Sequence, residues 1–299
     1  MSHLSWLEAG VVGLLQGVSE LFPVSSLGHS VLVPAVVGGS WARDLDVRTP
    51  ESPYLAFIVG LHVATAIALI VYFRHDWALL LRGLWTSIRH RRITRPEERL
   101  IWLLIAATIP VGIAGLLLEH TFRTVLATPT LTAVFLVVNG FVLLAAARWA
   151  RRRPAPELPL DQVDQTLAAA PFGTTVGIGA AQIAALAPGI SRSGIATAAG
   201  IAAGWTTQQA ARLSFLLATP VILAAGVLKL PDLAGPLGDG IRGQVVFGSV
   251  LSGLGAYASV RFLDRWFAKR SVTPYALYCI IAGVVAFVLV RTGTTVLGH

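Results

Sequence analysis

Six apolar runs of membrane-spanning length recur along this chain, at about residues 54–73, 100–118, 129–147, 211–228, 244–260 and 274–290. A hydrocarbon layer about 30 Å thick takes roughly 17–25 helical residues to cross, and within it each backbone polar group must find its partner inside the structure. The pattern predicts an all-α polytopic membrane protein, one membrane domain over residues 1–299. Composition agrees: 55% of residues are hydrophobic and 13% charged, against about 25% charged in soluble domains. Pro110 and Pro220 fall inside the second and fourth runs and predict kinks there, because proline removes a backbone donor.

Two further apolar regions are interrupted. Residues 6–22 stop at Pro23 and resume over 24–37, and residues 172–187 stop at Pro188-Gly189 and resume over about 194–204. Each half is too short to cross alone at 1.5 Å per residue. They read as two re-entrant broken-helix pairs, whose non-helical tips lipid tolerates only against protein or a water-filled cavity.

Lys and Arg number 23 against 15 Asp and Glu, a formal charge of +8. Fifteen of the basic residues fall in the segments near 74–99, 148–171 and 261–273, which the positive-inside rule places in the cytoplasm. The segments near 39–53, 119–128 and 231–243, and both termini, then face outward. The charge is thus spent on topology, which argues against a nucleic-acid partner. The single cysteine, Cys279, allows neither a disulfide framework nor a cysteine metal site. The start lacks a basic leader and reads as part of the mature fold.

With that orientation, residues 1–150 and 170–292 each read as a broken pair followed by three spans, entered from opposite sides. This is an inverted-topology repeat, and in such folds the broken helices meet near the midplane and build the binding site.

The polar residues at the two breaks carry the chemistry. In "QGVSE", Gln16 and Glu20 share a helix face. Past Pro23, Ser25 or Ser26 is placed to cap the next helix, and His29 follows three residues after Ser26. Carboxylate, hydroxyl and imidazole suit proton transfer and nucleophilic attack; the plainer alternative is that the serines cap and His29 bonds a carbonyl. In "PGISRSG", residues 188–194, Gly189, Ser191, Arg192 and Ser193 stand at a predicted helix N-terminus. An arginine there costs about 2.5–3.5 kcal/mol to insert, and with free N–H groups and hydroxyls it matches a phosphate; a purely structural pairing with Glu20 is the alternative. His62, beside Thr65 on the first full span, and Gln182 are weaker candidates, equally readable as packing residues.

"QGVSELFPVSSLGH" together with "PGISRSG" resembles the two signatures of the undecaprenyl-diphosphate phosphatase family of BacA-type bacterial enzymes. The resemblance implies an inverted-repeat membrane fold in the bacterial cytoplasmic membrane, with an active site facing outward. The implied reaction is removal of the terminal phosphate of a polyprenyl diphosphate, recycling the lipid carrier for cell-wall synthesis. Glu20, His29 and Arg192 become candidate catalytic residues and Ser26 a candidate nucleophile, with direct water attack oriented by Glu20 and His29 as the competing route. Gln16, Ser25, Gly189, Ser191, Arg192, Ser193 and Thr197 become the phosphate-binding set. A divalent cation, Mg²⁺ or Ca²⁺, held in part by Glu20, is the only cofactor implied; the partners implied are the prenyl diphosphate, the bilayer and a second copy of the chain. Three positions depart from the family pattern: Gln16 where Glu is commoner, Leu27 where Thr is usual, and Ala196 in place of a Thr that comes one residue late as Thr197, a rotation of about 100° on a helix.

A transporter of a lipid phosphate or small anion is the alternative from another class, since broken helices and an anion site suit transport as well. The Glu20, Ser26 and His29 group argues against it, because transport needs no nucleophile. A PAP2-type lipid phosphatase would need a histidine at residue 198, which is Ala.

Overall fold

The computed structural model describes residues 4–46, 53–152, 158–234 and 240–296, and among them every regular element is a helix. In chain order these are α1 (Trp6–Leu21), α2 (Ser26–Val37), α3 (Gly39–Asp44), α4 (Pro53–Tyr72), α5 (Arg74–His90), α6 (Pro96–Thr121), α7 (Pro129–Arg151), α8 (Leu160–Ala169), α9 (Phe172–Ala181), α10 (Arg192–Ala202), α11 (Thr207–Ala234), α12 (Arg242–Lys269) and α13 (Thr273–Thr292). The six expected spans correspond to α4, α6, α7, α11, α12 and α13. Among the described residues, five helices are by themselves long and apolar enough to cross a membrane, and up to seven if each of two bent pairs makes one span. The chain is a multi-pass membrane protein.

Both interruptions stand where the prolines put them. α1 opens on a capping box, Ser5 and Glu8 each bonding the other's backbone N–H, and ends before Pro23; at 16 residues it is about 24 Å long, short of a crossing. α9 continues through a tight 3₁₀ turn, Gln182–Leu186, to Pro188-Gly189, after which α10 begins. By contrast, α6 runs unbroken through Pro110 and α11 through Pro220.

The basic segments hold structure that the apolar runs did not announce. Arg74–His90 is helix α5, bent 86° from α4, and Leu160–Ala169 is helix α8, bent 102° from α9. α5 exposes Leu81, Trp85 and Ile88 beside Arg82 and Arg89, the amphipathic pattern of a helix lying in the membrane interface. Arg212 of α11 ties both surface helices to the bundle: buried over the Phe73 ring, it bonds Asp76 of α5 at 2.7 Å and Asp164 of α8 at 2.9 and 3.0 Å. Removing both carboxylates would leave this buried charge unpaired, at a cost of about 3–5 kcal/mol.

Small residues set how closely the spans cross, as is usual where no water drives helices together. Gly13 and Gly17 of α1 lie directly on the backbone of Gly248 and Ser252 of α12, and Gly179 of α9 lies on Ala107 of α6. Gly140 of α7 meets Ala276 and Ile280 of α13, while Gly283 of α13 meets Ala133 and Val137 of α7. α7 also packs against α2 and α10, so it runs beside both broken pairs.

Candidate active site

The two tips touch backbone to backbone. A Cβ on Gly28 would stand 3.0 Å from the Cα of Gly189, and one on Gly189 would clash with the Thr132 carbonyl oxygen, so a side chain at either would force the packed backbones apart. Gly189 adopts φ +107° in the region that favours glycine, and it presses against the Thr132 to Leu136 turn of α7. Ser25 caps α2 from a positive φ of 69°, a sparsely populated conformation costing about 1–3 kcal/mol. The cost is offset by what the conformation positions. Ser25 Oγ accepts from the N–H of Gly28 and from the N–H of Gly189, both at 3.1 Å, so one hydroxyl caps its own helix and grips the other tip.

Asn139, in the middle of α7, makes the same kind of bridge. Its Oδ1 accepts from the Ser191 N–H at 3.0 Å and its Nδ2 donates to the Pro23 carbonyl at 3.0 Å and to Cys279 Sγ at 3.3 Å. Ser191 caps α10 by accepting from the Gly194 N–H and pairs with the Ser193 hydroxyl, and Ser193 Oγ donates to the Phe22 carbonyl at the end of α1. Three of the residues expected to hold phosphate, Ser25, Ser191 and Ser193, thus spend hydrogen bonds on bracing the tips.

What they brace is a cluster around Glu20. One carboxylate oxygen, Oε2, accepts from the Ser26 hydroxyl and from Gln16 Nε2 at 3.1 Å, with His62 Nε2 at 3.4 Å; the other, Oε1, accepts from Arg192 Nη2 at 3.3 Å. Glu20, Gln16, Ser26 and Arg192 were expected here from sequence, and four helices bring the group together: α1, α2, α4 and α10. His62 was the residue whose part sequence left open. Its Nδ1 lies 2.8 Å from the Ile58 carbonyl, which only accepts, so Nδ1 carries the hydrogen. Nε2 is then the free lone pair, and it receives Gln16 Nε2 at 3.1 Å.

Arg192 is only partly used. Its Nε and Nη1 are buried and find no partner, which leaves three N–H bonds without an acceptor; each buried unmade bond costs about 1–3 kcal/mol. They sit at the first residue of α10, where the helix N-terminus presents its own unpaired N–H groups. Ser26, the first residue of α2, bonds the same carboxylate as Arg192. Two helix N-termini and an unsaturated guanidinium define an anion site shaped for phosphate oxygens.

His29 stands apart from this cluster. Nδ1 bonds the Ser25 carbonyl at 2.7 Å and Nε2 lies 2.7 Å from the Tyr278 hydroxyl of α13, the two rings stacked. No hydrogen bond joins it to Glu20, Ser26 or Arg192. Thr197 is buried without a bond to any of those three, and Ala196 lies in the apolar cluster with Leu104 and Leu213. Thr65 pairs with Ser252 of α12, and Gln182 bonds the Gly179 carbonyl; neither reaches Glu20.

The residues present do not fit a divalent cation held by the protein. The centre offers one carboxylate whose two oxygens already accept from a serine, an amide and a guanidinium, and among the described residues no three His, Cys, Asp or Glu side chains group as metal ligands. A calcium cage takes about six to eight oxygens, and magnesium here would have one already occupied carboxylate, with every other ligand coming from phosphate or water.

Helix tips that meet to present a carboxylate-bound hydroxyl and a half-used guanidinium define a membrane enzyme built for phosphoryl chemistry, rather than a bare anion pathway. Comparison with known proteins makes this specific: residues 9–285 match the family described as bacitracin resistance protein BacA, and the chain belongs to that family. It is 57% identical to the undecaprenyl-diphosphatase of Mycolicibacterium paratuberculosis, over 94% of this chain and 96% of that one. It is 48% identical to undecaprenyl-diphosphatase 1 of Frankia casuarinae, over 98% and 100%, and 43% identical to undecaprenyl-diphosphatase 2 of Chromobacterium violaceum, over 93% and 96%.

Proposed function

We propose that this protein hydrolyses undecaprenyl diphosphate, or a closely similar polyprenyl diphosphate, to the monophosphate and inorganic phosphate. The observation that carries the reading is the Arg192 guanidinium, buried with Nε and Nη1 unpartnered beside a serine already bonded to a carboxylate. In this reading Arg192 and the first turns of α2 and α10 receive the terminal phosphate. Ser26 Oγ attacks its phosphorus as the Ser26 proton passes to Glu20 Oε2. The bond to the bridging oxygen breaks, and the prenyl monophosphate leaves with the electron pair. Water, activated by Glu20 once that group is ionised again, then attacks the phosphoserine phosphorus; the bond to Ser26 Oγ breaks, and Glu20 passes the water's proton to that oxygen as inorganic phosphate forms. The position of His29, turned to Tyr278 rather than to Ser26, favours this covalent route over direct water attack oriented by His29.

The site opens outward, a placement supported by the arginines gathered at the opposite ends of the spans. The two halves are related as an inverted repeat, supported by the way the helices pair: α1 against α12 and α9 against α6, α4 against α11, α7 against α13. Each pairing maps onto another, or onto itself, when the halves are exchanged.

Purified protein is expected to release phosphate from undecaprenyl diphosphate and from shorter prenyl diphosphates, and Ser26→Ala is expected to abolish it. No release by well-folded wild-type protein would remove the enzyme reading. Gln16→Glu, which installs the residue commoner at this position of the family signature, is expected to keep or raise activity. A loss of more than about tenfold, measured as kcat/KM, would show that the amide's two N–H bonds, to Glu20 and to His62, are themselves required.

A further inference from the structure

The covalent route leaves Glu20 holding the proton taken from Ser26, yet the second step needs Glu20 ionised. We infer that His62 is the relay that carries this proton from Glu20 out of the site. Of the side chains that touch Glu20, His62 is the one with an opening: its side chain is 26% exposed, against 12% for Arg192, while Gln16 and Ser26 are buried. It is also the only one of them that can both take and give a proton, since Arg192 stays charged and the Gln16 amide and Ser26 hydroxyl are not bases near neutrality.

The geometry fixes the direction of transfer. With Nδ1 donating to the Ile58 carbonyl at 2.8 Å, the basic lone pair is on Nε2, 3.4 Å from Glu20 Oε2. That oxygen is also the one that receives the Ser26 proton. The step is a proton transfer from Glu20 Oε2–H to His62 Nε2, giving carboxylate and imidazolium. The imidazolium then loses the Nε2 proton to water admitted where the side chain is 26% exposed, which restores the starting tautomer. At rest Gln16 Nε2 donates across 3.1 Å to both Glu20 Oε2 and His62 Nε2, and its N–H leaves the Nε2 lone pair as the Glu20 proton moves in. The charged groups acting on His62 are Glu20 from α1 and Arg192 from α10. The relay rests on the proposed Ser26 and Glu20 chemistry and adds a residue to it.

The test uses full-length protein in detergent, with prenyl diphosphate as substrate and folding checked by thermal melting. His62→Ala is expected to lower kcat by about a hundredfold or more, within the range for positioned proton transfer, with KM nearly unchanged. His62→Gln, which can hold Glu20 but cannot take its proton, is expected to be equally slow. Added imidazole is expected to restore turnover to His62→Ala through the same opening. In a single turnover, His62→Ala is expected to label Ser26 with phosphate and then stall. Wild-type kcat in His62→Gln would overturn the relay, and that variant decides the matter if His62→Ala fails to fold. Failure of imidazole to restore a folded His62→Ala, with Ser26 still labelled, would also overturn it. Absence of phosphate on Ser26 in the wild type would instead remove the covalent reading beneath it.

Discussion

Arg192→Ala is expected to lower kcat/KM for prenyl diphosphate hydrolysis by about a thousandfold or more, the range by which an arginine stabilises the charge of a transferring phosphoryl group. The loss should fall on both constants. KM rises because the three N–H bonds left without a protein acceptor are the ones the phosphate would take, and kcat falls because charge on the equatorial oxygens grows in the transition state. Arg192→Lys is expected to recover only part of the loss, since an ammonium is a point charge and cannot present a planar fork. Steady-state kinetics on both variants would check this. An Arg192→Ala enzyme with wild-type KM would mean that the phosphate binds elsewhere.

Glu20→Gln is expected to separate the two constants. Chemistry should fall by about a hundredfold to ten-thousandfold, the usual worth of a positioned general base, because an amide cannot accept the Ser26 proton. Binding should not weaken. Glu20 Oε1 occupies Arg192 Nη2 at 3.3 Å and competes with the substrate for the guanidinium, so removing its charge is expected to tighten prenyl diphosphate binding. Equilibrium binding alongside kcat tests the pair of effects. Weaker binding in Glu20→Gln would indicate that the carboxylate, rather than the guanidinium, organises the phosphate.

Much of this arrangement was legible in the sequence, for identifiable reasons. A membrane forces each spanning segment to be apolar throughout, so hydropathy alone located α4, α6, α7, α11, α12 and α13. Proline inside such a segment marked both breaks. Polar side chains stand out against that background, and Glu20, Ser26 and Arg192 do converge. α5 and α8 were not announced, because arginines and aspartates interrupt their apolar runs although Leu81, Trp85 and Ile88 keep helical spacing.

The division of labour among the polar residues was not legible either. Ser25 and Ser26 are neighbours of the same chemistry, and only the positive φ at Ser25 turns one toward Gly189 and leaves the other for Glu20. Asn139 sits in a span where a lone amide carries no local signal, since its partners, Pro23, Cys279 and Ser191, come from three distant segments. His62 is similar: its place became visible only once α4 had packed against α1. His29 met the description of a catalytic imidazole by spacing along α2, yet its ring is turned to Tyr278 of α13.

The central claim, that Ser26 is the nucleophile and Glu20 its base, has a direct test in rapid quenching of a single turnover with prenyl diphosphate labelled in the terminal phosphate. Label is expected to appear on Ser26 and to disappear as inorganic phosphate forms, and Glu20→Gln is expected to slow the labelling itself. Inorganic phosphate formed in wild-type protein with no label on Ser26 at any time would contradict it, and would transfer the attack to water.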